Sequence, residues 1–256
     1  MSPNTWPAEA IWEQVYPLLP DFTVEILPEI DSTNSELMRR ARAGQTEPTL
    51  LVAERQTAGR GRMGRVWQSQ PGDSLTFSLS LPMAPKDWSG LSLAVGLSLA
   101  ESLHPQVGLK WPNDLWVQER KLGGILVEAA SMGGRSQVVI GVGLNIRPRP
   151  ADGLNTAPAA LTEWRPDITA AQTLALLAAP LIRTLLGFEQ SGFAPLQARF
   201  EARDVLKGRR VHTSDGAQGA CLGVSASGAL RLQTDAGVLD IHSAEVSVRP
   251  FAEDKP

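Results

Sequence analysis

The 256 residues carry 24 Lys and Arg against 27 Asp and Glu, a formal net charge of -3, with 43% hydrophobic and 20% charged content. That balance belongs to a globular protein of one large domain or two unequal ones, and it excludes a surface built throughout to hold nucleic acid, so any basic function is local. The single Cys221 excludes an intramolecular disulfide and a Cys-rich zinc site, fits a reducing compartment, and reads as a small buried apolar group.

In chain order, "MSPNTWPAEAIWEQVYPLLPDF" lacks the cationic segment and apolar run of a secretory signal and reads as a short helical piece. In "EIDSTNSELMRRARAG", Thr33 and Glu36 have the spacing of a capping box, which predicts a helix to about Arg42 that stops at Gly44. Residues 50–53 form a short apolar run suited to a strand and lead into "AGRGRMGRVW". Beyond it Leu75, Phe77, Leu79 and Leu81 alternate with Ser74, Thr76, Ser78 and Ser80, the period of a half-buried strand. A helix is expected over 91–103, a strand over 107–111, a hairpin of 115–117 with 125–129 around "QERKLGG", and a strand over 138–146. The Pro-rich 150–166 reads as a surface loop, followed by helices over 170–187 and near 195–203. Neither apolar stretch, 91–103 or 170–186, keeps about 18 uninterrupted apolar residues, so no membrane span is expected. Past a boundary near Val205 the short β-prone runs between "SDG", "ASG" and "DAG" read as a small antiparallel barrel of about 50 residues. The expected organisation is a larger domain over 1–204 and a small β-barrel over 205–256. The larger part has no regular βαβ order, which predicts α+β with a mainly antiparallel mixed sheet.

Gly59, Gly61 and Gly64 spell G-x-G-x-x-G, but a dinucleotide fingerprint needs a helix at the third glycine and an acid about 20 residues on. Here Pro71 and Gly72 mark a turn where that helix should be. Arg55, Arg60, Arg62 and Arg65 stand against one acid, Glu54, so the segment repels itself when empty and demands an anion. Its glycines let backbone N–H groups approach oxygen atoms, and its guanidinium forks suit phosphate or carboxylate. A solvated mobile loop and an arginine arm for nucleic acid are the alternatives, the latter with Trp67 as its one interleaved aromatic. In "LKWPNDLWV" a turn at a strand end presents Lys110, Asn113 and Asp114. In "RKLGGILVE" Lys121 can reach over a strand end while Gly123 and Gly124 approach a ligand closely. Either string alone is more simply a turn or a solvated lysine.

Taken in order, "DSTN", "ERQTAGRGRMGRVW", "KWPNDL", "RKLGGILVE" and "GVGLNI" closely resemble the signature of biotin protein ligases, from about Ile30 to Ile146. Lipoate ligases share that architecture but lack the Gly/Arg string. The resemblance implies a class II synthetase-like ligase fold with a C-terminal SH3-like barrel. It implies activation of biotin by MgATP to biotinyl-5'-AMP and transfer to a lysine of the biotin carboxyl carrier protein of acetyl-CoA carboxylase. By the same resemblance Ser32, Thr33 and Asn34, with Gln56 beside them, line the biotin pocket, and the Gly123 and Gly124 backbone adjoins it. Arg60, Gly61 and Arg62 close over the carboxylate and α-phosphate, Arg65 and Trp67 lie on the nucleotide with Trp67 near the adenine, and Lys121 touches both reacting groups. Lys110, Asn113, Asp114 and Asn145 fall in the nucleotide neighbourhood, with Asp114 the candidate for Mg²⁺. Met63 stands where the family commonly has arginine, a loss expected to weaken adenylate retention at most. About 30 residues precede "DSTN", against roughly 60 for a winged helix-turn-helix, so no operator binding is expected. A cytoplasmic monomer or homodimer is implied. Ligation of lipoate or octanoate, and nucleic-acid binding through the Gly/Arg loop, are the rival functions.

Overall fold

The computed structural model describes residues 6–132, 135–151, 156–242 and 246–251. Its frame is a seven-stranded sheet of β1 (Thr23–Ile30), β2 (Thr49–Gln56), β3 (Ser74–Pro82), β4 (Gly108–Lys110), β5 (Asp114–Val117), β6 (Arg120–Met132) and β7 (Arg135–Asn145), in the order β1-β2-β3-β7-β6-β5-β4. Only β1 and β2 run parallel, joined by the crossover helix α2 (Thr33–Arg42); every other pair is antiparallel. The fold is therefore α+β with a mainly antiparallel sheet, as the pattern predicts. α1 (Ala8–Val15) packs on β1, and α3 (Leu91–Leu103) packs with α4 (Ala170–Ser191) beneath the sheet. By length and composition α4 could cross a membrane, but half of its apolar window lies inside the fold, the distribution of a core helix.

Three local expectations need correction. β3 is buried along both faces, not one: its leucines and Phe77 enter the main core, and Thr76, Ser78 and Ser80 are covered from the α2 side. Period two separates the faces of a strand; it does not say that either meets water. The cap of α2 is Ser32, whose Oγ accepts from Ser35 N–H at 3.3 Å, while Glu36 pairs with Arg39 and Arg40 instead of closing a box with Thr33. The helix does end at Arg42, and Gly44 follows at φ 88. The hairpin between β5 and β6 turns on Gln118 and Glu119 alone, both left-handed (φ 48 and 60), as a two-residue turn matched to strand twist requires. Lys121, Gly123 and Gly124 consequently belong to β6 rather than to a connection, with Lys121 opposite Trp116 and Gly124 opposite Asp114.

α5 (Gln197–Glu201) leads to residues 203–205, which lie along β4: Leu109 N–H donates to Arg203 O at 2.8 Å and Val205 N–H to Leu109 O at 3.1 Å. β8 (Arg210–Thr213), β9 (Gln218–Val224), β10 (Leu230–Thr234), β11 (Gly237–Ile241) and β12 (Val248–Pro250) then form an antiparallel sheet in the order β11-β10-β9-β8-β12. Among the described residues β11 and β12 do not pair, so the strands form an open sheet where a closed barrel was expected. One apolar cluster runs from Phe77 and Leu97 through Phe200 and Leu206 to Val211, Cys221 and Leu232, uniting the two sheets. Burial and the neighbouring Asp204 push the Cys221 thiol up to about 12, so it is an inert core group.

Asp204 sits at this junction with Oδ2 buried and unpartnered, while its Oδ1 accepts from Leu206 N–H at 2.9 Å. Burial pushes its carboxyl from 3.8 up to about 6, against the downward pull of the Leu206 and Lys207 N–H groups. The folded form thus keeps a proton that the unfolded chain has released, and this carboxyl withdraws stability as pH rises from about 4 to about 6, by roughly 2–3 kcal/mol once above it. In urea unfolding, the stability of Asp204→Asn relative to the parent should be about 2 kcal/mol more favourable at pH 7.5 than at pH 4.5. Equal differences at the two pH values would contradict the buried, proton-holding carboxyl.

Candidate active site

A cavity of about 410 Å³ opens among α2, the Gly/Arg segment and strands β3, β6 and β7. Glycines make the room for its walls. A Cβ on Gly141 would stand 2.5 Å from Asn34 Oδ1, one on Gly143 2.3 Å from Trp67 Cε2, and one on Gly124 3.2 Å from Lys121 Nζ. Backbone of β6 and β7 therefore serves as the surface on which these three side chains rest.

The floor is neutral and polar. The Ser32 cap aims the start of α2 at β2 and β3, where Thr33 N–H donates to Gln56 Oε1 at 2.8 Å. The Thr33 and Ser78 hydroxyls meet at 2.8 Å, Ser78 Oγ donates to Asn34 Oδ1 at 2.9 Å, and Asn34 Nδ2 donates to Glu128 at 2.6 Å. Thr33, Asn34 and Ser78 are 2%, 3% and 0% exposed, so water cannot substitute for these bonds.

The rim is cationic. The Gly/Arg segment folds back on itself: Trp67 N–H donates to Gly59 O at 2.9 Å, Gly61 N–H to Arg65 O at 2.7 Å, and Met63 and Gly64 turn through left-handed φ values of 56 and 71. Gly59 is required there, because a Cβ would lie 2.3 Å from Trp67 O. Arg60 reaches Ser35 Oγ at 3.2 Å and Glu128 Oε1 at 2.9 Å. Arg62 donates to Asn113 Oδ1 at 2.7 Å and to Val246 O at 3.3 Å, and Arg65 donates to Ser247 Oγ at 3.0 Å, so the residues before β12 hold the segment down. Burial holds the Arg62 guanidinium below its ordinary value, with the Asp114 charge opposing. An anion beside Arg62 restores what desolvation removes. Lys121 Nζ lies 2.6 Å from Asp114 Oδ1. Arg149 stands 5.2 Å over the Trp67 ring and also lines the cavity.

The cavity is lined by Ser32, Thr33, Asn34, Gln56, Arg60, Gly61, Arg62, Arg65, Trp67, Asn113, Asp114, Lys121 and Gly124, thirteen of the residues expected from the sequence. Three expected residues do not line it. Gly123 turns toward Leu144 and Leu115 on the core side, as strand alternation with Gly124 demands. Asn145 is a brace: its Nδ2 donates to Lys121 O at 3.1 Å and Ala159 O at 3.0 Å. Lys110 lies 4.6 Å over the Trp116 ring in an adjoining depression beside Arg249, and burial lowers its ammonium pKa. Sequence reasoning missed Ser78, Glu128, Arg149 and Ser247. Ser78 was placed on a solvent face, Glu128 sat unremarked in "RKLGGILVE", and Arg149 and Ser247 belong to no motif. Among the described residues no three His, Cys, Asp or Glu cluster as a metal cage, and Asp114 is engaged by Lys121.

The profile of the biotin/lipoate A/B protein ligase family matches residues 26–145. The bifunctional ligase/repressor BirA of Escherichia coli is 36% identical, over 93% of this chain and 77% of that protein. The biotin–[acetyl-CoA-carboxylase] ligase of Paracoccus denitrificans is 31% identical, over 86% of this chain and 98% of that one. Among solved structures, the biotin protein ligase from Aquifex aeolicus in complex with biotin and ATP superposes with a TM-score of 0.76 at 30% identity, covering 89% and 98% of the two chains. With a neutral polar floor, a rim of arginines and one lysine on this sheet, and with relatives of that length and identity, the chain belongs to the biotin/lipoate protein ligase family, among its biotin protein ligases.

Proposed function

We propose that the protein activates biotin with MgATP to biotinyl-5'-AMP and transfers the biotinyl group to a lysine of a biotin carboxyl carrier protein. The observation that carries this reading is the border of five cations, Arg60, Arg62, Arg65, Arg149 and Lys121, around one small floor of hydroxyl and amide groups. A substrate with an uncharged polar head and a reactive carboxylate fits that division, and lining up a carboxylate with a polyphosphate demands such a border.

In the first step a carboxylate oxygen attacks the α-phosphorus and pyrophosphate leaves. Two anions must approach, so Arg62 and Lys121 act by neutralising them and the charge that develops between them, with no covalent intermediate on the enzyme. A Mg²⁺ entering with ATP would be held by the phosphates, with Asp114 the carboxylate available to it, and would supply charge screening of the departing pyrophosphate. Asp114, 2.6 Å from Lys121 Nζ, holds the ammonium until phosphate replaces it. Trp67, packed against Gly143 of β7, offers its indole to the base, and Ser32, Thr33, Asn34 and Gln56 hold the cyclic urea. In the second step the carrier lysine attacks the mixed anhydride carbonyl and AMP leaves. The segment pinned by Val246 and Ser247 keeps water from the adenylate meanwhile. We take the C-terminal sheet from about Val205 as an SH3-like module that holds this segment closed and meets the carrier, with the cytoplasm as the compartment that supplies both substrates.

The test is ATP–pyrophosphate exchange with biotin, lipoate or octanoate, followed by streptavidin blotting of a lysate incubated with protein, biotin and MgATP. Exchange should appear with biotin, and a carrier-sized band should label. Exchange with lipoate alone, or oligonucleotide binding at physiological salt without any exchange, would replace this function.

A further inference from the structure

Glu128 has no part in the chemistry above, yet it closes the polar floor. It lies on the face of β6 that carries Gly124 and Leu126 into the cavity. Its Oε2 accepts from Asn34 Nδ2 at 2.6 Å and its Oε1 from Arg60 Nη2 at 2.9 Å. Carboxylate oxygens only accept, so Glu128 obliges Asn34 to turn its NH₂ toward β6 and its Oδ1 toward Ser78. Ser78 donates to that Oδ1 at 2.9 Å and so spends its single proton. The 2.8 Å contact between the Thr33 and Ser78 hydroxyls must then be donated by Thr33. The one proton of Thr33 is thereby directed inward, between Ser78 and Gln56 Oε1 at 3.2 Å, and its Oγ offers only lone pairs to the cavity. Gln56 Oε1, which already receives Thr33 N–H at 2.8 Å, is likewise an acceptor.

We infer that Glu128 is a positioning residue: through the relay Glu128, Asn34, Ser78, Thr33 it fixes the Thr33 oxygen of the floor as a hydrogen-bond acceptor and so selects an acid whose head group carries an N–H donor. The inference rests on the proposed biotin site and gives it a basis for selectivity. A cyclic urea supplies the N–H groups, whereas the head of lipoate or octanoate leaves the Thr33 oxygen buried and unpaired. Asn34, Ser78 and Thr33 are buried, while the Glu128 side chain is 23% exposed, so beyond the carboxylate the direction is set by protein groups and not by solvent.

Steady-state adenylation by the full chain, with biotin and ATP varied in turn, tests this. Glu128→Ala should raise KM for biotin about tenfold and leave KM for ATP within about twofold, and Ser78→Ala, which cuts the relay at its middle, should do the same. Glu128→Gln, which still offers an oxygen to Asn34, should bring KM for biotin back to within about threefold of the parent. An unchanged biotin KM in Glu128→Ala overturns the relay, and if that variant does not fold, an unchanged KM in Ser78→Ala does so. Damage by Gln equal to that by Ala also overturns it, since the charge on Arg60 and not the donor direction would then matter. A parent enzyme that exchanges nothing with biotin instead removes the proposed function itself.

Discussion

Lys121→Ala should lower the rate of adenylate formation by about 10²–10³-fold while melting within about 4 °C of the parent. The ammonium is half-buried at the junction of the cation rim and the strand glycines, 2.6 Å from Asp114. In the proposed first step, deleting it removes one positive charge from the approaching anions and leaves the Asp114 carboxylate facing them, so the loss is expected to fall on the charged transition state more than on either ground state. Lys121→Gln keeps reach and hydrogen bonding without charge and should fail almost as badly as Ala. Single-turnover formation of biotinyl-5'-AMP reads this directly, and a rate within about threefold of the parent in both variants would remove Lys121 from the chemistry.

Gly143→Ala should raise KM for ATP about a hundredfold, with biotin binding in the absence of nucleotide changed no more than about threefold. The added methyl would lie 2.3, 2.6 and 2.8 Å from three atoms of the Trp67 indole. Gly143 is paired on both sides in mid-sheet, so backbone cannot yield. The indole must yield instead, and its Nε1 is buried without a hydrogen bond to anchor it. The Ser32 to Gln56 floor lies apart from that clash. Coupling supplies the check: in a Trp67→Ala background the Gly143→Ala change should cost nothing further in KM for ATP. Additive losses in the double variant would mean that the methyl acts through the sheet rather than through the indole.

Much of the site was legible because its residues are clustered in short strings. The surplus of Arg60, Arg62 and Arg65 over Glu54, with glycines too frequent for a helix, already demanded an anion, and thirteen of the residues expected around it line one cavity. The residues that went unread each depend on a partner distant in sequence. Ser78 matters because α2 covers its face of β3, and Glu128 because it meets Asn34, 94 positions away. Gly123 misled for the complementary reason: adjacent to Gly124 in the string, it faces the opposite side of the strand, which becomes evident only from the pairing of β5 with β6, where a one-residue shift between Leu115 and Trp116 sets Gly123 opposite Leu115 and Gly124 opposite Asp114.

Local chemistry in the chain thus determined the α+β class, the positions of most strands and helices, and the nature of the ligand as an anion at a Gly/Arg segment, because periodicity, turn residues and charge surplus act over a few neighbouring positions. Tertiary structure alone decided which face of β3 and β6 meets the cavity, which way the buried hydroxyls point, that Val246 and Ser247 hold the Gly/Arg segment, and that the C-terminal strands form an open sheet among the described residues. Those outcomes depend on register, on burial of both faces of a strand, and on hydrogen bonds between residues tens to nearly two hundred positions apart, none of which leaves a local mark in the sequence.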